Sequence, residues 1–157
     1  MTPLLSVRDL ETHFFTRDGV VRAVDGLSFD LAPRETLGIV GESGSGKSVS
    51  NLAIMGLLNR KRAEISGQVL LDGRDLLPLP ASDLRAIRGK EIAMIFQDPF
   101  ACLHPLYRVG SQIGEAVRAH EKVSKDVALA RAVELLDAVG IPNAKARARD
   151  YPHQFSG

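Results

Sequence analysis

The sequence predicts an α/β fold, and three observations carry that expectation. The front third reads as strands joined by turn signals. A glycine- and serine-rich run, Gly41 to Ser48, sits between a short apolar stretch and a longer helix-like one. From Val109 onward apolar residues recur at steps of three and four, as on one face of a helix.

Element by element, Leu4 to Leu10 is apolar with polar breaks, the pattern of a first strand. Phe14-Phe15 leads into Thr16-Arg17-Asp18-Gly19, a hairpin signal, and Val20 to Val24 should return antiparallel. Leu27 to Leu31 alternates with period two. Thr36 to Val40 is a short apolar run, expected as a buried parallel strand. Val49 to Asn59 suits a buried helix. Ser66-Gly67 and Asp72-Gly73 bracket a short strand, Gln68 to Leu71. Ala81 to Ile87 should be a short helix, and Glu91 to Phe96 another strand. Ile113, Val117 and His120 keep helical spacing, Leu129, Val133, Leu136 and Val139 predict a second amphipathic face, and Gly140 should stop that helix. The expected organisation is residues 1–100 as a β region plus α/β core and residues 101–157 as a helical segment.

Composition bounds the function classes. The 157 residues are 45% hydrophobic and 25% charged, which excludes a disordered or collagen-like chain. A net charge of +1 leaves no global attraction for nucleic acid or anionic lipid. The small basic clusters at Arg60-Lys61-Arg62 and Lys145 to Arg149 read as solvated surface. Cys102 is the single cysteine and cannot form an internal disulfide. The longest apolar run, Leu52 to Leu58, is far short of the roughly twenty residues a membrane span needs. With no signal-peptide pattern at the N-terminus, a soluble cytosolic product is expected.

Gly41-Glu42-Ser43-Gly44-Ser45-Gly46-Lys47-Ser48 matches G-x-x-x-x-G-K-[ST]. Holding a nucleotide triphosphate requires several backbone N–H groups turned inward, and only residues with little or no side chain let the backbone wrap so closely. The helix that follows adds unpaired N–H groups and the positive end of its dipole. Lys47 supplies a charge for the β- and γ-phosphates, and Ser48 a hydroxyl for Mg²⁺. Chance alone produces such a match in roughly one chain in two hundred of this size, before the strand-then-helix context is required. By itself the motif identifies a P-loop nucleotide binder and no narrower class.

Three ordered segments narrow the family. Val40 to Ser48 resembles the Walker A segment of ABC-transporter ATPases, Ile95-Phe96-Gln97-Asp98-Pro99 resembles their Q-loop, and Tyr151 to Gly157 resembles the opening of their L-S-G-G-Q signature, with Phe155 in the Leu position. The resemblance spans the whole chain. His13 to Val21 and Gly46-Lys47-Ser48-Val49-Ser50 are similar in particular to ATPase subunits of oligopeptide, dipeptide and nickel importers. It implies a P-loop ATPase core with an N-terminal antiparallel β subdomain and an inserted helical subdomain, and ATP and Mg²⁺ as cofactors. It implies nucleotide contacts from Phe14, which would stack on adenine with Phe15 as the rival position, and from Gly41 through Val49. Gln97 would be a Mg²⁺ ligand or would orient the attacking water, alongside Lys47 in catalysis. Ser156 and Gly157 would cap ATP held by a second, different ATPase subunit in a head-to-tail dimer. The region from Gln97 to Leu106 would dock on a permease at the cytoplasmic face of the membrane, and an external solute-binding protein would act indirectly. The alternatives are a soluble ABC ATPase of translation or DNA repair, or a non-hydrolysing remnant.

Departures from the family pattern matter as well. Arg34 stands where Gly is usual and His104 where Asn is usual. Cys102 and His104 have no third group to orient them as nucleophile and base, so both read as ordinary loop residues. The four histidines show no metal-ligand spacing. No Walker B strand ending in Asp-Glu and no switch histidine occur in the 157 residues. The expectation is therefore an N-terminal half, cut within the signature, that binds nucleotide but does not hydrolyse it alone.

Overall fold

The computed structural model describes residues 2–98 and 102–155. It divides into two compact units, residues 1–93 and 94–157.

The first unit is built on a four-stranded antiparallel sheet, in the order β2-β1-β3-β4. Strands β1 (Leu5–Thr16) and β2 (Gly19–Leu31) form the predicted hairpin. Arg17 and Asp18 make its corner, Gly19 opens β2 opposite Thr16, and the Thr16 hydroxyl donates to the Gly19 carbonyl at 2.8 Å. The two stretches expected as separate strands, Val20 to Val24 and Leu27 to Leu31, are one strand. Register shifts absorb the irregular Asp25-Gly26 step, so pairing continues through it. The exposed Arg8 and Asp30 side chains pair across this hairpin at 2.6 Å. Hydrogen bonds from Arg8 first, then Ser6, hold the Asp30 carboxylate below its ordinary range.

Strand β3 (Ala63–Leu71) pairs with the other edge of β1 and is longer than predicted. Ser66-Gly67 does not end it. β1 is bulged between Arg8 and Glu11, and β3 passes so close there that a Cβ on Gly67 would lie 2.3 Å from the Asp9 carbonyl oxygen. Glycine at this point marks the approach of two backbones, not a turn. Asp72-Gly73 is the turn it promised to be, leading into β4 (Arg74–Asp75).

Helix α1 (Lys47–Ile54) is shorter than the expected Val49 to Asn59. The Arg88 side chain reaches its C-terminal end, donating through Nε to the Met55 carbonyl at 2.7 Å and through Nη2 to that of Gly56 at 2.6 Å. Carbonyls left over at a helix end are thereby satisfied. Ala53 and Ile54 of α1 join Val7 and Leu10 of β1 and Val69 of β3 in the main core, with Leu84 and Ile87 of α2 (Ala81–Ile87) beside them. Helix α2 has the predicted limits.

Two expected strands are absent. Thr36 to Val40 has no regular structure, and Val40 is 94% exposed. Glu91 to Phe96 forms only an isolated bridge from Ile92 to Arg88, and Ile95 is 94% exposed. A parallel strand exists through its ladders on both sides. Among the described residues no strand runs beside either segment, so Leu37, Ile39, Val40, Ile95 and Phe96 remain exposed, while Ile92 packs partly against the main core. In the turn before the first of them, Arg34 takes the left-handed conformation with φ 65°, at a cost of about 1–2 kcal/mol for a residue with a Cβ. The Glu35 carboxylate helps hold that turn, accepting from the Ala32 N–H at 2.6 Å.

The second unit is helical, as predicted: α3 (Val109–His120), α4 (Lys125–Ala138) and α5 (Ala144–Arg147), then a 3₁₀ turn at Pro152–Gln154. Ser124 caps α4, its hydroxyl accepting from the Val127 N–H. Gly140 closes it as expected, with Gly140 and Ile141 N–H groups bonding back to the Asp137 and Leu136 carbonyls. The buried face of α4 is the predicted one only in part: Leu136 is buried and Val133 packs partly against the core of this unit. Ala128, Ala132 and Leu136 are buried, whereas Leu129 and Val139 are exposed. Gly114 of α3 faces Ala128, whose backbone a Cβ there would meet at 3.5 Å, an ordinary contact, while a Cβ on Gly110 would lie 2.6 Å from the Ala148 carbonyl oxygen.

Candidate functional site: the phosphate-binding loop

The loop Gly41–Gly46 runs directly into α1. Gly46 is the last residue before the helix, at φ 92°, and Gly44 has φ 84°. These left-handed steps among small residues let the backbone fold back on itself. The Ser45 N–H bonds to the Glu42 carbonyl at 3.2 Å, and the first helical N–H bond runs from Ser50 to Gly46 at 2.8 Å. The N–H groups of Lys47, Ser48 and Val49 therefore precede the helical ladder and have no partner within it. The Ser50 hydroxyl also donates to the Gly46 carbonyl, at 2.9 Å, which ties the loop to the helix.

Lys47 closes the loop. Its ammonium donates to the Gly41 and Glu42 carbonyls, both at 2.7 Å, and to the Ser45 hydroxyl at 3.1 Å. A cation, three N–H groups outside the helical ladder and a run of small residues form one anion-seeking cradle. The cradle rests on the sheet at Gly46, where an added Cβ would lie 2.3 Å from the Ala23 carbonyl oxygen of β2.

The structure thus brings Gly41, Glu42, Ser45, Gly46 and Lys47 together, with Ser43 and Gly44 in the exposed bend between them and Val49 packed on the core. Ser48 is exposed in the first turn of α1. Among the described residues no group of three or more His, Cys, Asp or Glu side chains could hold a metal. A Mg²⁺ ion here would use the Ser48 hydroxyl together with phosphate oxygens of the nucleotide itself, a donor set that suits its preference for oxygen. Phe14 is half-buried in β1 between Val21 of β2 and Ala63 of β3, and Val21 is two residues from the Ala23 that supports the loop. Phe15 is 59% exposed.

Gln97 lies in the second unit, exposed and outside any strand. At the far end of that unit, Arg147 organises the approach to the signature-like segment. It pairs with Asp150 at 2.8 Å, donates to the Gln154 carbonyl at 3.2 Å and stacks 4.6 Å from the centre of the Phe155 ring. Pro99, Ser156 and Gly157 lie outside the described residues. Sequence reasoning did not single out Ser50, Arg88 or Arg147 for a role. Each acts on backbone carbonyls, which leave no trace in residue pattern.

Residues 24–157 match the ABC transporter domain. The chain belongs to the ABC transporter family. It is 50% identical to the oligopeptide transport ATP-binding protein OppD of Bacillus subtilis, covering 100% of this chain and 44% of that protein. The OppD of Haemophilus influenzae is 48% identical, with 100% of this chain and 48% of that one covered. The dipeptide transport ATP-binding protein DppD of Bacillus subtilis is 48% identical, with 100% and 47% covered. This ABC transporter chain therefore spans about half the length of the curated relatives it matches. Its fold is that of the dimeric bacterial ABC transporter cassette MJ0796, with a TM-score of 0.80 at 23% identity over 98% of this chain and 63% of that one. A post-hydrolysis MJ0796 dimer bound to ADP and Pi aligns with a TM-score of 0.78 at 21% identity, over 97% and 63%. Among the described residues no helix is long and apolar enough to cross a membrane.

Proposed function

We propose that this chain is the nucleotide-binding part of an ATPase subunit that drives peptide import through an ABC permease. The observation that carries the nucleotide assignment is the Lys47 ammonium, held at the mouth of a small-residue loop at the start of α1. The solute class rests on likeness to relatives described as peptide-import ATP-binding proteins. Nickel remains the related alternative cargo on the family resemblance.

In this reading Lys47 neutralises the β- and γ-phosphates of ATP while the loop N–H groups hold their oxygens. Ser48 takes Mg²⁺, which when bound spreads the charge that develops on the transferring phosphoryl group. Phe14 gives adenine a face to stack on, and Gln97, a neutral amide, orients water or ligates Mg²⁺ without adding charge. Ser156 and Gly157 act on ATP bound by a second ATPase subunit in a head-to-tail dimer. The segment from Gln97 to Leu106 meets the permease, which places the subunit on the cytoplasmic face of the membrane. Residues 1–157 contain no Asp-Glu pair at a strand end, so turnover is assigned to the complete subunit rather than to these residues alone.

Reconstitution tests the solute class. The complete subunit, assembled with its permease and solute-binding protein in vesicles, should hydrolyse ATP faster when peptide is supplied. Turnover indifferent to peptide but raised by another solute would sink the peptide assignment and leave the nucleotide assignment standing.

A further inference from the structure

The helix that carries the phosphate cradle is fastened at its far end by one side chain. Helix α1 is 8 residues long, two turns or about 12 Å, and its first turn carries the Lys47 ammonium and the N–H groups of Lys47, Ser48 and Val49. Packing alone gives α1 little grip, since its buried residues are Ser50, Ala53 and Ile54 and the first two are small. Its C-terminal end closes on itself first. The Gly56 N–H bonds to the Ala53 carbonyl at 2.9 Å and the Leu57 N–H to the Leu52 carbonyl at 2.8 Å. The carbonyls of Met55 and Gly56 lie past that closure. Arg88, at the end of α2, takes both, through Nε at 2.7 Å and Nη2 at 2.6 Å.

The space for this fork depends on a missing side chain. Gly56 has φ 62°, and a Cβ there would lie 3.0 Å from Arg88 Nη2 and 2.9 Å from Leu84 Cδ1. The guanidinium thus lies partly buried against bare backbone, and its planar head holds two acceptors at a fixed spacing. Water can satisfy the last carbonyls of a helix, but it ties the helix to nothing. A cation from α2 joins the end of α1 to a second element. The near end rests through Gly46 on the Ala23 backbone of β2, so the short rod is held at both ends. Hydrogen bonds weaken steeply when misaligned, so whatever fixes the rod also fixes the aim of its first N–H groups.

We propose that Arg88 is a positioning residue for phosphate binding: by pinning the C-terminal end of α1 it keeps the Lys47 side chain and the first N–H groups of the helix aimed at the β- and γ-phosphates. The inference rests on the reading of Gly41 to Ser48 as the phosphate site. Arg88 itself touches no nucleotide and acts through α1 alone.

The test uses the complete subunit and measures ATP affinity, AMP affinity and unfolding temperature. Arg88→Met keeps much of the stem and removes every donor. It should weaken ATP binding about fivefold and leave AMP binding within twofold, so the preference for ATP contracts. Arg88→Lys keeps a cation but offers a point donor in place of the fork, and its selective loss should be about threefold. That variant carries the test if Arg88→Met does not fold. Ile87→Val is the control for general loosening, because Ile87 is a buried hydrocarbon with no donor. It should lower the unfolding temperature and leave the ratio of ATP to AMP affinity unchanged. ATP affinity within twofold of wild type in both Arg88 variants, with the wild type preferring ATP, would overturn the inference and keep the phosphate reading. Equal losses for ATP and AMP would make Arg88 a cap for stability only and would also overturn it. Equal affinity of the wild type for ATP and AMP would overturn the phosphate reading itself, and the inference with it.

Discussion

Replacing Lys47 with alanine should weaken ATP binding by the complete subunit at least about 100-fold while leaving its thermal stability almost unchanged. The ammonium is the only side-chain cation in the loop, and it already makes three hydrogen bonds to Gly41, Glu42 and Ser45. Hydrogen bonds to charged groups are worth about 1.5–3 kcal/mol each, and every 1.4 kcal/mol is a factor of ten in affinity. Losing the bonds that this charge would make to two phosphates would therefore account for about two decades or more. Stability should barely move, because the loop is exposed and the core of Val7, Leu10 and Val69 does not involve Lys47. Titration with a fluorescent ATP analogue measures the first effect and thermal unfolding the second. An affinity within threefold of wild type would remove the lysine from the site.

Gly46→Ala should be the more destructive substitution, because it damages fold and site together. Its Cβ would need the left-handed φ of 92° and would lie 2.3 Å from the Ala23 carbonyl oxygen. That oxygen belongs to the backbone of β2, so relief requires the loop and the sheet to separate. The expected loss is about 3 kcal/mol of stability, with nucleotide binding lost as the cradle shifts. Gly44→Ala is the internal control. At φ 84°, with nothing within 4 Å of its Cβ, it should incur only the conformational cost of about 1–2 kcal/mol. Urea unfolding of the two variants measures the gap. A Gly46→Ala variant no less stable than Gly44→Ala would show that the loop does not rest on β2.

What the sequence made legible follows a physical line. Gly41 to Ser48 could be read because phosphate binding restricts residue type at fixed positions, and the strand-like and helix-like flanks could be checked. Asp72-Gly73 and the limits of α2 were legible because turn chemistry and apolar spacing are local. The buried face of α4 was legible only in part, through Leu136 and Val133. Periodicity weighed Leu129 and Val139 above Ala128 and Ala132, yet the two alanines are the buried ones, because small residues leave little apolar signal in a pattern. Thr36 to Val40 illustrates a second limit. An apolar run states that a segment would be buried if partners lay beside it, and a strand forms only with them. Arg88 and Arg147 illustrate a third, since a side chain that bonds to distant backbone carbonyls follows no periodicity. Among the site residues, the alternation of β1 left Phe14 and Phe15 as rivals; Phe14 is half-buried beside the sheet strand that supports the loop, and Phe15 faces solvent.

The central claim is that the loop around Lys47 recognises the phosphate chain of ATP. Isothermal titration of the complete subunit with ATP, ADP and AMP in the presence of Mg²⁺ tests it most directly, because the three share adenine and ribose and differ in the phosphates that the cradle would hold. The account predicts one saturable site whose affinity falls from ATP or ADP to AMP by at least about tenfold, a step of roughly 1.4 kcal/mol. Equal affinity for all three would place recognition on the base and sugar and would contradict the assignment of Gly41 to Ser48 as the phosphate site.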